Sequence, residues 1–305
     1  MLDVKTNVLN IRDVLFVLIG FLQSFRLLRR LKPDIVFCKG GFVVVPVGFA
    51  AGLLGIPYIT HDSDTVPGLA NRLIAKKATL HAVAHHGIAA YPAKKTIVTG
   101  VPVGEKFLAT ISRSEARRLL HIDESARVVF VYTGTQGAKC IDDALDSQMD
   151  ALLADARVQV VHVFGRLNSH SMERRYSALS MEKQARIQKL TFIDNADQYM
   201  AASDVIIARA GATSLAECAA VGRAVIVVPA EQLTGGHQVV NAKGFAEANA
   251  VVVVRESAIG SLAETTATLL ADTRRRQALE KAIHEFAGHH AARKIAELLL
   301  AEAGR

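Results

Sequence analysis

Short apolar runs rich in valine and isoleucine alternate along the chain with longer segments in which apolar residues recur at helical spacing. This alternation is typical of parallel β-sheets that are covered by helices on both faces. The pattern therefore predicts an α/β fold. The ten predicted strands are 34–38, 56–60, 79–84, 95–99, 127–132, 157–164, 189–193, 204–208, 224–228 and 250–254.

A charged segment without a strand pattern, residues 104–126, separates the first four predicted strands from the last six. We therefore predict two domains, residues 1–110 and 111–305, and the last helix of the second is free to cross back to the first. Doubly wound domains usually carry five or six strands and begin with a strand and a glycine turn. The first domain opens on a helical pattern instead, so we expect it to be incomplete.

The helical pattern near the start contains an unbroken apolar run only from Val14 to Leu22, followed by four basic residues between 26 and 32. A transmembrane helix needs about 20 apolar residues, so this run is too short to span a bilayer. A helix with one apolar face and a basic end fits an anionic membrane surface. The alternative, which we favour from the sequence, is a helix packed on a sheet with its cations at the favourable C-terminal end.

The 305 residues carry 36 Lys and Arg against 29 Asp and Glu, a net charge of +7. This surplus favours anionic partners, namely phosphorylated substrates, acidic lipids or nucleic acid. Tryptophan is absent and only 6% of residues are aromatic, so the stacking platforms of single-strand binders are missing and nucleic acid is not expected. The three cysteines lie far apart in sequence, which argues against a disulfide framework or a zinc site.

Three glycine-containing turns follow predicted strands: CKGGFVVVPVG at 38–48, YTGTQGAK at 132–139 and ARAGATSLAE at 208–217. A turn of this kind, placed before a helix, can present backbone N–H groups to a phosphate at the helix N-terminus. Two of the turns lie in the second domain, where the carboxyl ends of parallel strands share one edge. This arrangement predicts a site for a nucleotide diphosphate at that edge.

Glu217 lies a turn and a half after Gly211 in an alanine-rich helical segment. Its carboxylate can sit beside the anion site of that helix and accept hydrogen bonds from a ribose diol. A solvated or capping carboxylate is the alternative. Arg209, in the same turn, is either a phosphate contact or a surface residue.

Two polar loops add candidate residues. The loop 229–245 offers amide and imidazole groups suited to sugar hydroxyls, and a solvent-exposed loop is its alternative. The loop 60–72 places several polar residues after a strand, and helix capping accounts for only one of its acids. No Walker, HExxH or GxSxG sequence occurs, so NTP hydrolysis, zinc proteolysis and α/β-hydrolase chemistry have no support. The polar candidates are Gln232, His237, Gln238 and Asn241 in the first loop and His61, Asp62, Ser63 and Asp64 in the second.

Taken together, these motifs resemble the MurG family of glycosyltransferases, within glycosyltransferase family 28. KPDIVFCKGGFVVVP is similar to that family's KPDVV…GGY segment, HDSDTVPGLAN to HEQN…GLxN, and TGVPV to GNPVR. TGTQGAK is similar to GGSQGA, the ARAGATSLAE segment to CRSGALTVSE, and HQVVNA to QQxxNA. These linked motifs follow one another over nearly the whole chain, so the resemblance is more specific than any single glycine turn.

The resemblance implies the GT-B architecture, two Rossmann-like domains with parallel sheets and a cleft between them. It implies inverting transfer of N-acetylglucosamine from UDP-N-acetylglucosamine to undecaprenyl-pyrophosphoryl-MurNAc-pentapeptide (lipid I), giving lipid II, with no metal or other cofactor. It also implies a peripheral protein on the cytoplasmic face of the cell membrane. In the donor site, Glu217 is expected to hold the ribose, Phe192 and Ile193 to lie near the uracil, and Arg209 to stabilise the leaving diphosphate. The complete predicted donor set is Thr133, Gly134, Thr135, Gln136, Gly137, Phe192, Ile193, Arg209, Gly211, Ala212, Thr213, Glu217, His237, Gln238 and Asn241.

The chain departs from the family pattern at several points. Asp64 stands where the family has the Asn of HEQN, Gly104 where it has the Arg of NPVR, and His237 where it has the first Gln of QQ. The family's N-terminal GTGGH loop, which is thought to contact the acceptor and supply a base, has no match. Three explanations for the missing loop are open: a misassigned start, a truncated gene, or a separate chain that completes the first domain. Asp62 or Asp64 is then the predicted general base.

Two other functions remain open at this stage. One is a non-catalytic or partner-dependent UDP-sugar-binding subunit of a split lipid glycosyltransferase. The other is a different GT-B enzyme, such as a UDP-sugar epimerase or another lipid glycosyltransferase.

Overall fold

The computed structural model describes residues 11–85, 90–109, 111–134, 137–165, 175–232 and 236–304. The described residues form ten β-strands and thirteen α-helices, together with 3₁₀ helices at Ala75–Lys77, Ala93–Lys95 and Glu256–Ser261. The strands are β1 Val36–Cys38, β2 Tyr58–Asp62, β3 Leu80–Val83, β4 Thr96–Val98, β5 Arg127–Tyr132, β6 Val158–Val163, β7 Ile187–Leu190, β8 Val205–Ala208, β9 Ala224–Val227 and β10 Val252–Val253. The helices are α1 Ile11–Leu31, α2 Val44–Leu54, α3 Leu69–Ile74, α4 Glu105–Leu108, α5 Arg113–Leu119, α6 Lys139–Leu152, α7 Met181–Gln184, α8 Ala196–Ala202, α9 Ala212–Val221, α10 His237–Glu247, α11 Leu262–Ala271, α12 Thr273–His284 and α13 Ala291–Ala303.

The chain divides into two compact units, residues 1–101 with 290–305, and residues 102–289. This division comes earlier in the sequence than the predicted boundary after residue 110. The physical reason is that Phe107 is buried in the core of the second unit, where Val103 and Leu108 pack beside it. Helix α13 groups with the first unit.

Each unit is built on a parallel sheet. The first sheet has the strand order β1-β2-β3-β4, and the second has the order β10-β9-β8-β5-β6-β7. Every strand pair in the two sheets is parallel. All ten predicted strands are present, so the predicted α/β class is confirmed.

The first unit buries a small core between its sheet and helices α1 to α3. Leu28 of α1, Ala51 of α2 and Tyr58 of β2 are buried there together. Helices α2 and α3 approach closely at Gly48, where an added Cβ atom would lie 2.7 Å from a methyl group of Ile74. Within the described residues, no helix combines the length and apolar character needed to cross a bilayer.

The second unit is covered by helices on both faces of its sheet, as alternation along the strands requires. Val128 and Phe130 of β5 point into a core with α8 and α9, while Val129 and Val131 point into a core with α6 and α11. These valine-rich strands are nearly completely buried.

The order of the second sheet contains a topological switch. The chain runs outward from β5 through β6 to β7, and then returns to β8, on the other side of β5, before continuing to β9 and β10. The connections after β5 and β8 therefore leave towards opposite faces of the sheet. A crevice opens between such connections, and ligands of open α/β sheets usually bind in it.

Candidate functional site

The two glycine turns predicted from the sequence flank this switch point. The described residues of the first turn, 133–134 and 137–138, lie between β5 and α6, and residues 209–211 lie between β8 and α9. Both turns therefore lie at the carboxyl edge of the second sheet, on neighbouring strands. This is the position in which the two helix N-termini can act on one ligand.

The N-terminus of α9 has no side-chain cap. Its N-cap residue is Gly211, which has no side chain to accept from the first amides, and its first turn holds no acidic residue; within the described residues no side-chain cap is present there. The N-cap of α6, Ala138, likewise supplies no side-chain acceptor. By contrast, side-chain oxygens cap α5, α7 and α12, none of which follows directly on a strand. The first amides of α9 and the positive end of its dipole are therefore open to an anion.

Glycines leave room for a ligand beside these amides. Gly211 has an ordinary extended backbone, with φ of −68°, and a Cβ atom added there would meet nothing within 4 Å. Gly134 and Gly137 have φ of 80° and 76°, a conformation that only glycine adopts readily, and the Gly137 N–H donates to the Gly134 carbonyl at 3.2 Å. Thr135 and Gln136, also predicted to contact the diphosphate, lie outside the described residues.

Glu217 lies on the same helix, further from the N-terminus, with its side chain half-buried beside the end of β5. Burial raises the pKa of the Glu217 carboxyl above its ordinary value, while the Tyr132 hydroxyl and the charge of Lys106 act in the opposite direction. A partly desolvated carboxylate is a strong acceptor for hydroxyl groups. The acid that the sequence predicts as the ribose contact therefore has a suitable environment.

Arg209 is held in place at the same edge. Its Nη1 donates to the Val228 carbonyl oxygen at 3.0 Å and to Oε1 of Glu256 at 2.7 Å. The side chain is only 16% exposed. Arg209 is therefore not a freely solvated surface residue.

Three predicted contacts have side chains that bind the protein itself. The Thr133 hydroxyl donates to the Val163 carbonyl at 3.0 Å, and the buried Asn241 amide donates to the Ala210 carbonyl at 3.2 Å. The side-chain oxygen of Gln238 accepts from the Ala230 N–H at 3.0 Å. These bonds show that the Thr133 and Asn241 side chains also support the loops around them, and their contact with the donor stays a prediction.

His237 is the first residue of α10 and is half-buried, next to Gly236 with φ of 59°. Its Nδ1 atom is buried and, within the described part of the chain, has no hydrogen-bond partner. A buried polar atom without a partner is costly, and a ligand can supply one.

Two further predicted residues are open to solvent: Phe192, after β7, is 47% exposed, and Thr213, in the first turn of α9, is also exposed. Ile193 is half-buried and Ala212 begins α9.

In the first unit, the two predicted base candidates have different environments. Asp62 is buried: its Oδ1 accepts from the Gly68 N–H and the Asn71 amide, both at 3.0 Å, and its Oδ2 accepts from the Tyr91 hydroxyl at 2.7 Å. Both carboxylate oxygens of Asp62 are thus engaged inside the protein, where they support the loop that follows β2. Asp64, at the carboxyl end of the same strand, is half-exposed.

Sequence reasoning missed three residues near the site: Tyr132, Lys106 and Glu256. Tyr132 and Lys106 both act on the Glu217 carboxyl. Tyr132 is the last residue of β5 and Glu256 follows β10 closely, so the rule that ligand contacts follow the carboxyl ends of strands could have found both. Lys106 has no local sequence signal, because it reaches the site through packing of α4.

Replacing Gly211 by alanine tests whether a ligand approaches the α9 amides. The backbone conformation suits alanine and the space is empty, so the free energy of unfolding should change by no more than about 1 kcal/mol. The added methyl group would stand where a phosphate approaches, so UDP affinity should fall at least roughly tenfold. Gly244→Ala, at an exposed position in α10, is the matched control and should leave affinity unchanged. Unchanged affinity in Gly211→Ala would place the nucleotide elsewhere.

Comparison with known proteins identifies the family of both halves of the chain. The model of the glycosyltransferase family 28 C-terminal domain matches residues 128–299, and that of the family 28 N-terminal domain matches residues 2–83. The first of these segments contains the whole of the edge described above.

Two relatives are both called UDP-N-acetylglucosamine–N-acetylmuramyl-(pentapeptide) pyrophosphoryl-undecaprenol N-acetylglucosamine transferase. The one from Halothermothrix orenii is 35% identical over 244 residues, which cover 78% of this chain and 66% of the relative. The one from Myxococcus xanthus is 31% identical over 296 residues, which cover 95% of this chain and 74% of the relative. The chain thus spans about two thirds to three quarters of these relatives.

Among solved structures, MurG of Acinetobacter baumannii superposes with a TM-score of 0.74 at 25% identity, over 93% of this chain and 78% of that one. A UDP-N-acetylglucosamine 2-epimerase from Neisseria meningitidis, bound to UDP-N-acetylglucosamine, superposes with a TM-score of 0.69 at 16% identity, over 98% of this chain and 84% of that one. The second likeness concerns the fold alone. The family models and the relatives together establish that the chain belongs to glycosyltransferase family 28 and has the predicted GT-B type of fold.

Proposed function

We propose that this chain transfers N-acetylglucosamine from UDP-N-acetylglucosamine to undecaprenyl-pyrophosphoryl-MurNAc-pentapeptide, a step of peptidoglycan synthesis. The observation that carries the proposal is the α9 helix, whose uncapped N-terminus and Glu217 lie together at the switch point of the second sheet. These are the features that a diphosphate and a ribose require. The names of the relatives support this donor and acceptor over an epimerase or a binding subunit.

In the proposed reaction, the acceptor hydroxyl attacks the anomeric carbon as the bond to the diphosphate breaks, so the configuration inverts in a single displacement. Negative charge develops on the departing UDP. We propose that the first amides of α9 and the guanidinium of Arg209 stabilise that charge and that no metal or other cofactor is needed; the uncapped helix end and the fixed arginine support this. His237, with its unpartnered Nδ1, is the proposed contact of the sugar.

We assign the general base to Asp64. A base takes the proton of the acceptor hydroxyl, and its loss commonly costs about 100- to 10,000-fold in rate. Asp64→Asn should therefore lower kcat by at least about 100-fold and leave the donor KM nearly unchanged, as steady-state kinetics would measure. The variant carries the asparagine that the family has at this position, and full activity in it would rule out Asp64 as the base.

Asp62→Asn is the companion of that experiment. Its side chain accepts three hydrogen bonds in a buried position, so the change should act on folding and lower the free energy of unfolding by about 1 to 3 kcal/mol. Chemical denaturation would measure this loss. If Asp62→Asn were as stable as the wild type but its kcat were strongly lowered, Asp62 would be the base instead.

We propose a peripheral location at the cytoplasmic face of the membrane. Helices α1 and α2 expose an apolar surface that contains Leu18, Leu22, Phe49 and Leu53, each at least 49% exposed, and the last turn of α1 holds Arg29 and Arg30. An apolar surface with basic neighbours suits an anionic bilayer.

The pair of changes Leu22→Glu and Phe49→Glu tests this surface. Each buried side chain contributes roughly 1.5 to 3 kcal/mol, so binding to vesicles that contain phosphatidylglycerol should fall at least about tenfold for each change. Leu300→Glu, at a position on α13 that is 74% exposed, is the control. Sedimentation with vesicles gives the bound fraction. If Leu22→Glu and Phe49→Glu bound vesicles as well as the control Leu300→Glu, a membrane role of this surface would be contradicted.

The function itself is tested by incubating the chain with UDP-N-acetylglucosamine and a lipid I analogue, alone and with any chain that is encoded beside it. The expected product is the disaccharide lipid, detected by chromatography, with stoichiometric UDP. Donor binding without any product under either condition would overturn the transferase and favour a UDP-sugar-binding subunit. Conversion of the donor into another sugar nucleotide without acceptor would indicate an epimerase.

A further inference from the structure

A carboxylate that the donor prediction did not include, Glu256, connects loops at the same sheet edge. It begins the 3₁₀ helix that follows β10, and its side chain is 21% exposed. Its Oε1 accepts from Nη1 of Arg209 at 2.7 Å, and its Oε2 accepts a longer hydrogen bond from the Glu231 N–H at 3.4 Å. One side chain therefore joins the connection after β8 to the connection after β9.

The contact constrains how Arg209 presents its guanidinium. Its hydrogen bonds to oxygen, within the part of the chain that the structure describes, both come from Nη1, one to the Val228 carbonyl and one to Glu256. A guanidinium is planar, so two fixed acceptors on one terminal nitrogen set the orientation of the whole group. The guanidinium, which also meets the Cys140 thiol, is thereby held in one orientation at the sheet edge, and phosphate oxygens are well suited to a guanidinium presented in this way.

The connection from β5 to α6 also meets Glu256 and Arg209 at this edge. Cys140, in the first turn of α6, lies beside both Glu256 and Arg209, and the Glu256 carboxylate adds to the effect of burial in raising the pKa of the Cys140 thiol. Cys38 and Cys218 are buried, whereas Cys140 is half-exposed. Cys140 is thus the most accessible thiol of the protein and reports on Glu256.

We propose that Glu256 is a positioning residue for the donor diphosphate: it orients Arg209 towards the phosphates and fixes the loop after β9, without contacting the donor itself. The proposal rests on the proposed donor site and adds to it the residue that keeps the arginine ready before the donor arrives. The free energy of ordering this long side chain is then not lost on donor binding.

The test is a double-mutant cycle on donor binding, measured by calorimetry with UDP-N-acetylglucosamine. Glu256→Ala should weaken binding roughly tenfold, and Glu256→Gln, which keeps an acceptor for Nη1, should stay within about threefold of the wild type. In the Arg209→Ala background, Glu256→Ala should add no more than about a twofold loss, because the group it positions is gone. Glu264→Gln, at an exposed position on α11, is the control.

A second readout does not depend on the donor. The rate of Cys140 alkylation rises with pH as the thiolate forms, and Glu256→Gln should move that rise to lower pH because a nearby negative charge has been removed. Glu256→Ala removes the same charge and should shift the profile in the same direction. A shifted profile in Glu256→Ala together with wild-type donor affinity would overturn the positioning role, since the carboxylate would then be in place in the wild type and yet have no effect on binding.

The remaining outcomes separate this inference from the proposed function. Tighter donor binding in Glu256→Ala would overturn the inference, because Glu256 would then compete with the diphosphate for Arg209. Equal losses from Glu256→Ala with and without Arg209 would also overturn it. If the wild-type chain itself bound no UDP-N-acetylglucosamine, the proposed donor site would fail, and the positioning role with it.

Discussion

Replacing Glu217 by alanine should weaken the binding of UDP-N-acetylglucosamine by about 10- to 100-fold. The carboxylate is partly desolvated, and hydrogen bonds to a charged group contribute about 1.5 to 3 kcal/mol each. The ribose diol is the proposed donor of these bonds. Titration calorimetry gives the affinity, and Glu264→Ala, at an exposed helical position, is the matched control. Wild-type affinity in Glu217→Ala would show that Glu217 does not bind the ribose.

The pH dependence of binding provides a check on the same residue. Only the ionised carboxyl accepts two hydroxyl protons, and burial raises the pKa of Glu217 above its ordinary value. Affinity should therefore decline as the pH falls through that raised pKa, at a higher pH than an exposed glutamate would give. In Glu217→Gln this decline should be absent. A decline that persists in Glu217→Gln would have to come from another group.

Replacing Arg209 by alanine should lower kcat by about 100- to 1,000-fold, which is the usual effect of removing a preorganised donor from a developing negative charge. The arginine is already oriented by Val228 and Glu256, so little reorganisation is required as UDP departs. Steady-state rates with saturating donor and a lipid I analogue would measure the loss.

Two further variants sharpen that result. Arg209→Lys keeps the charge but loses the planar fork, so its rate should lie between those of the wild type and Arg209→Ala. Arg118→Ala, at an exposed position on α5, should match the wild type. An Arg209→Ala protein with normal kcat and a raised donor KM would show that the arginine only binds the donor and does not act in the transition state.

The strands were predictable because buried parallel strands are continuous apolar runs, a local property of the sequence. Strand ends are harder to predict. Strand β2 extends to Asp62, whereas the predicted strand ends at residue 60. His61 and Asp62 are polar and yet buried, because Gly100, Asn71 and Tyr91 supply hydrogen bonds from distant parts of the chain. Local patterns contain no information on such partners.

The site divides in the same way. The glycine turns and Glu217 follow from spacing along the chain, since a strand, a turn and a helix place them without help from elsewhere. The roles of Thr133 and Asn241 could not be predicted, because each depends on one carbonyl contributed by another strand or turn. Glu256 was missed for a related reason: its partner Arg209 is 47 positions away in sequence.

Calorimetric titration of the wild-type chain with UDP tests the central claim most directly, with ADP as the control nucleotide. The claim is that the switch point of the second sheet binds a uridine diphosphate through the α9 amides and Glu217. It predicts saturable binding of one UDP per chain, at least about tenfold weaker in Gly211→Ala and in Glu217→Ala. A folded chain that gives no heat with UDP, or that binds UDP equally well in both variants, would contradict it.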